Sequence, residues 1–192
     1  IPVKNLMNET YCRDLSNKLR RQFMVQRSNG ECLAAFASYG YRKSPEDKHK
    51  LIIDEIAAEV VRGIFYSKLQ GYSQQDIASM LTSQGIMCPA EYKKQNGMKY
   101  KSGFSSTETG QWSHMAVTRI LKNRIDIGEL IQGVRCKPNF KVKDVKKLKP
   151  EEWVVVPNNH EPIIDQKVFD IVQRMLERDT RRSPEQDLVF PL

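Results

Sequence analysis

The sequence predicts a mainly helical α+β fold, in which a helix-turn-helix core carries a long insertion in its turn and a β-hairpin wing, with one long helix in front. Three observations carry this. Apolar residues recur at helical spacing in five segments, each bounded by a capping residue or a glycine. Two β-branched runs flank a polar, basic arm late in the chain. The resulting order, helix, helix, long loop, helix, hairpin, is that of a winged module, except that its turn is far longer than the about 3 to 4 residues usual there. The chain of 192 residues is long enough to bury a core without disulfides or metal.

From about Asn8 to Asn29 there is no Gly or Pro, Tyr11, Leu15 and Leu19 recur every fourth residue, and Asn29-Gly30 makes a left-handed stop. This predicts a long helix with a narrow apolar stripe, suited to a partner helix in another domain or a second subunit. Cys32 to Tyr41 and Leu51-Ile-Ile53 read as extended segments around a polar turn, Lys43 to Lys50, that contains Ser44-Pro45. Asp54 caps a second helix to about Leu69, with Ile56, Val60, Ile64 and Leu69 inside and Gly71 closing it. Ser73 and Asp76 have capping-box spacing, and Ile77, Ala78 and Leu81 form the apolar face of a third helix that stops at Gly85.

Ile86 to Gln111 is rich in Gly, Ser, Lys and Thr and reads as a long exposed loop, a kind that is usually functional or disordered. Ser113 caps a fourth helix to about Asn123, which turns Val117, Ile120 and Leu121 inward and His114, Thr118 and Lys122 outward. Ile125, Ile127, Leu130, Ile131 and Val134 suggest strand, as does Trp153 to Val156, and the arm between them, Lys137 to Lys149, makes a hairpin with a basic tip. Asp165 caps a last helix with Val168, Ile171, Val172 and Met175 inside, before a charged tail from Glu177 to Asp187. Trp112 and Trp153 read as core anchors.

A formal charge of +8 makes a polyanion the first partner to consider, since Lys and Arg gain affinity by releasing counterions from phosphates. The excess sits in blocks: Arg20, Arg21 and Arg27; Lys93, Lys94, Lys99 and Lys101; and the arm that includes Arg135, Lys137, Lys141 and Lys143. From Arg135 to Lys149 there are seven basic residues and one acidic, which suits backbone contacts to nucleic acid. The fourth helix presents His114, Thr118, Arg119 and Lys122, bordered by Ser113, Asn123 and Arg124, a polar and positive face that fits a major groove or, equally, plain solvent. Ser38-Tyr39-Gly40-Tyr41-Arg42-Lys43 either lies in or beside a minor groove or holds buried tyrosines around a glycine bend.

Catalysis finds little support in the spacing. His49, His114 and His160 fall in separate segments, and Asp54-Glu55 and Glu151-Glu152 fit first-turn carboxylates and solvated charge. Cys12, Cys32, Cys88 and Cys136 are far apart, none in a Cys-x-x-Cys pair, so neither a zinc knuckle nor a redox motif is spelled, and a reduced chain without cofactor or metal is expected. No apolar run approaches the about 20 residues of a membrane span, and no stretch reads as a signal peptide. Ile1-Pro2 and the apolar Leu188 to Leu192 read as cut ends of a longer chain.

Tyr39-Gly-Tyr41, Leu51-Ile-Ile-Asp54, Val60-Val-Arg-Gly-Ile-Phe65 and Gly71-Tyr-Ser73 are followed by Ile77-Ala-Ser-Met-Leu81, Gly85-Ile86, Trp112 with Val117, Ile120-Leu-Lys-Asn123, Ile127-Gly128 and His160-Glu-Pro-Ile-Ile-Asp165. Each is weak alone, but the ordered set resembles the recombinase domain of large serine recombinases, also called serine integrases or transposases. Ser16, Lys18, Leu19 and Arg20 resemble the helix that leaves that family's catalytic domain, pairs subunits and crosses DNA. The resemblance implies a parent enzyme that exchanges DNA strands through a phosphoserine link, its serine lying upstream of Ile1, and a structural zinc only in a cysteine-rich ribbon further on. It also implies double-stranded DNA as partner, self-association through the first helix, and a bacterial, cytoplasmic setting. The implied division is 1–30 as linking helix, 31–180 as DNA-binding domain and 181–192 as linker. The chain departs from the family at Ser38, where Pro is usual, and at Arg124 and Asp126, where Pro and an aromatic are usual. The alternatives are a winged-helix transcription regulator with no enzymatic parent and an interaction module for acidic protein. Flanking sequence separates the first, and a salt titration of DNA binding the second.

Overall fold

No helix breaker follows Pro2 until Gly30, and Pro2–Ser28 forms α1 in the computed structural model, which describes residues 2–99, 110–139 and 141–177. The stop falls where expected: Gly30 takes a φ of 78° and the Glu31 amide donates to the Gln26 carbonyl. The apolar stripe, Met7, Tyr11, Leu15, Leu19 and Phe23, stays exposed along the helix. The C-terminal end of α1 is tied to the body of the domain by hydrogen bonds. Gln132 accepts from the Leu33 amide at 2.9 Å and donates to the Glu31 carbonyl at 2.7 Å, while the Asn159 amide group donates to the Gly30 carbonyl at 2.9 Å.

The extended run expected over Cys32 to Tyr41 is instead irregular. The strand is β1, Tyr41–Lys43, paired antiparallel with β2, Leu51–Ile53, so strand pairing begins at the last residue of the expected extended run and reaches the first residue of the expected turn. Helix α2, Glu55–Leu69, starts after Asp54, but the Asp54 side chain makes no cap bond and accepts from the Tyr92 hydroxyl at 2.9 Å. Its buried face is also rotated from the expected one. Ala57, Ala58, Val61, Ile64, Phe65 and Lys68 are buried, whereas Ile56 is 71% exposed and Leu69 lies at the surface. The small alanines let α2 approach its neighbours closely, and that selects the face that carries them.

Helix α3, Gln74–Ser83, has both halves of the Ser73/Asp76 capping box and buries Ile77, Ala78 and Leu81, as read from the sequence. The following loop contains an unforeseen short helix, α4, Pro89–Gln95, opened by a proline whose absent N–H costs nothing at that position. Helix α5, His114–Leu121, is capped by Ser113 and buries Val117, Ile120 and Leu121 as expected, and α3 packs directly against it.

Ile125 and Ile127 fall in a 3₁₀ turn, Arg124–Ile127, rather than a strand. Strand β3, Leu130–Gln132, then pairs with β6, Val154–Val156, and β4, Arg135–Cys136, pairs with β5, Lys146–Lys147, giving the expected basic hairpin in two stacked ribbons. Helix α6, Gln166–Glu177, buries Phe169 and Val172, and Ile171 faces out. Phe169 was not foreseen, but its ring meets Phe65 of α2 at 6.1 Å. The core therefore joins α2, α3, α5 and α6, with Trp112 buried over it and its indole N–H donating to the Ile86 carbonyl at 2.8 Å. Trp153 is half-buried at the foot of the hairpin.

Candidate nucleic-acid interface

The α5 face follows from its spacing. With Val117, Ile120 and Leu121 in the core, His114, Met115, Arg119 and Lys122 are exposed, and Thr118 is half-buried between them. Ser113 is occupied as the cap, accepting from the Ala116 amide at 3.2 Å. The Thr118 hydroxyl donates to the His114 carbonyl at 2.8 Å. Met115, 49% exposed near the middle of this arc, was not singled out from the sequence. The signal was there, since it lies four residues before Arg119 and three before Thr118.

The helix border is structural. The Asn123 amide group donates to the Ser38 hydroxyl at 2.8 Å, and its oxygen caps the 3₁₀ turn, so Ser38 and Asn123 hold one another in place. Arg124 forms a two-point pair with Glu129, at 2.7 and 2.9 Å, and its charge is answered within the chain.

The Tyr39 to Lys43 segment takes the second of its two readings. Tyr39 is buried, edge-on to Tyr92 at 5.6 Å and to Trp112 at 5.8 Å. Tyr41 is buried, with its hydroxyl donating to the Glu161 carbonyl at 2.9 Å and its ring edge-on to His160 at 4.8 Å. Burial raises both phenols above their ordinary value and lowers the His160 imidazole. Neither tyrosine offers a face to a groove, because both rings are core. Arg42 is exposed and Lys43 half-buried on β1.

The remaining cations divide by environment. Lys93 sits half-buried with its ammonium 5.7 Å from the Phe36 ring centre, and burial lowers its pKa, so it serves packing first. Lys94 and Lys99 are exposed, and Lys101 lies outside the described residues. On α1, Arg21 is exposed, Arg27 is half-buried, and Arg20 donates to the Pro138 carbonyl at 3.1 Å. On the hairpin Arg135, Lys137, Lys143, Lys146 and Lys147 are exposed. Lys141 pairs with Glu9, whose carboxyl is held below its ordinary value by that hydrogen bond and charge. This pair and the Arg20 contact bring the hairpin tip against α1, around an open cleft of about 230 Å³ lined in part by Arg13, Arg20 and Lys141. Among the described residues no group of three His, Cys, Asp or Glu side chains gathers that would hold a metal, and no helix is long and apolar enough to cross a membrane.

Fold and surface together define a mainly helical α+β domain with small antiparallel hairpins, one of them strongly basic. The family model described as Recombinase matches residues 55–179, and the chain belongs to that family, the recombinase domain of large serine recombinases. A crystal structure of a LSR-DNA complex is similar at 19% identity and a TM-score of 0.50, over 83% of this chain and 37% of that one. A structure from work on the sequence requirements of the Listeria innocua prophage attP site is similar at 19% identity and a TM-score of 0.48, over 83% of this chain and 51% of that one. The chain thus spans about half, or less, of the solved chains it matches.

Proposed function

We propose that this chain is the sequence-specific DNA-binding part of a site-specific serine recombinase that integrates, excises or transposes a mobile element. In this reading α3 and α5 are the two helices of a helix-turn-helix with α4 inserted between them, α5 enters the major groove of an attachment half-site, and the basic hairpin is a wing on the phosphates. The observation that carries it is the α5 face, where Arg119 and Lys122 are exposed beside Met115 and Thr118 directly opposite a well-packed apolar side. The solved LSR-DNA complex supports DNA as the partner class.

The further division follows the same reading. Residues 1–30 link toward a catalytic domain and offer the α1 stripe for self-association, 31–180 bind DNA, and 181–192 lead toward a zinc ribbon. The chain itself uses no cofactor, binds without cutting, and works in the bacterial cytoplasm. A footprint on the ends of the mobile element locates the half-site, and mobility shifts then test it. Arg119→Ala and Lys122→Ala should each weaken cognate binding by about 1–3 kcal/mol. Unchanged affinity in both would remove α5 from the interface.

A further inference from the structure

The α5 face carries one exposed apolar side chain, Met115, near its middle among cations. Opposite Val117, Ile120 and Leu121, helical spacing centres the exposed arc on Met115 and Lys122, with Thr118 and Arg119 to either side. A single exposed methionine needs no explanation. Its neighbour supplies one here. The Thr118 hydroxyl donates to the His114 carbonyl, and in that arrangement the side chain offers its γ-methyl and an acceptor oxygen. Asn123, at the helix border, is hydrogen-bonded to Ser38 and caps the 3₁₀ turn. Arg124 is held by Glu129. The apolar chemistry the face offers is thus the Met115 thioether and the Thr118 methyl, beside the cations Arg119 and Lys122 and the exposed His114 ring.

The major groove displays one apolar group, the C5-methyl of a pyrimidine. We infer that α5 recognises 5-methylpyrimidines, with Met115 and the Thr118 methyl packing on the C5-methyl groups of one or two half-site positions while Arg119 and Lys122 hold neighbouring purine edges or phosphates. In unmodified DNA the base is thymine, and 5-methylcytosine offers the same group. The inference rests on the proposed entry of α5 into the groove and adds the chemistry that it reads there.

The test uses the chain with its footprinted half-site, resynthesised with thymines replaced one at a time by deoxyuridine. This removes one methyl and leaves every hydrogen-bonding group in place. Affinity should fall about fourfold at one or two positions, the loss expected for one methyl taken out of contact. At those positions 5-methylcytosine paired with guanine should bind more tightly than cytosine by a similar factor. Met115→Ala together with Thr118→Ser should bind thymine and uracil duplexes alike. Arg119→Ala should bind both more weakly while keeping the ratio between them. Equal affinity of the unaltered chain for every uracil duplex would overturn the inference, and the groove assignment would still stand if Arg119→Ala weakened binding. Loss of binding in none of the Arg119 and Lys122 variants would overturn both. Met115 is exposed and Thr118→Ser keeps the hydroxyl of a half-buried side chain, so thermal melting of the double variant should match the parent and keep a null result interpretable.

Discussion

Asp126 is fully buried, and neither of its carboxylate oxygens has a hydrogen-bond partner among the described residues. Burial raises its pKa well above the ordinary carboxylate value, so the neutral acid is the form the fold accommodates. The folded chain holds this proton more tightly than the unfolded chain, so the associated stability is complete below the unfolded value near 3.8 and is lost as pH rises through the raised folded value. His160, lowered by burial, acts the other way, losing stability as pH falls through its folded value, and only a comparison of variants separates the two. Asp126→Asn should flatten the decline of melting temperature between pH 4 and 8 and leave the variant more stable at pH 8 by about 1–3 kcal/mol. Parallel profiles for the two proteins would show that another group sets the slope. The departure at Asp126 was visible in the sequence, but its burial was not. The apolar spacing of Ile125 and Ile127 suggested alternation along a strand, which would place Asp126 outside, whereas a 3₁₀ turn points it in. At Tyr39 and Tyr41 the residues alone left groove and core equally open, and only packing against Trp112 and His160 decides.

Elements with a local chemical marker were legible. The reciprocal Ser73/Asp76 box, the Ser113 cap and the Gly30 and Gly85 stops each mark a boundary through one side chain or one backbone angle, without reference to the rest of the fold. The face of α2 was not, since bulky Ile56 and Leu69 look like core and Ala57 and Ala58 look neutral until a neighbouring helix is close enough to need them. The α4 helix was hidden by the Gly-, Ser- and Thr-rich stretch around it, which makes the whole segment read as loop. Gly128 marks another boundary, between the 3₁₀ turn and β3, with a φ of 85° and the His160 carbonyl oxygen 2.8 Å from where a β-carbon would stand. Gly128→Ala should therefore combine backbone strain with a clash and cost at least about 2 kcal/mol. Gly85→Ala, at a φ of 68° with open space around it, should cost only about 1 kcal/mol. Equal shifts in urea midpoint would mean that the approach to His160 relaxes freely.

For the molecule as a whole, the blocks of charge were legible as composition, but their pairing was not. Lys141 with Glu9 and Arg124 with Glu129 join residues whose meeting depends on the fold, so these cations are partly neutralised, while Lys146 and Lys147 on β5 are exposed. Lys146→Ala with Lys147→Ala should weaken binding to all duplexes alike and reduce the slope of log affinity against log salt by about 2. A loss confined to one sequence would instead make the hairpin a reader of bases. The anchoring of α1 matters at this scale too. Its 27 residues extend about 40 Å from the Gly30 joint. With Gln132 and Asn159 gripping that joint, the far end would move about 0.7 Å for each degree of tilt, at the about 1.5 Å rise of each residue, and the Glu9–Lys141 pair and the Arg20–Pro138 bond brace the helix against that tilt. A small settling of the β3–β6 ribbon therefore reaches the other extremity only by parting those two struts.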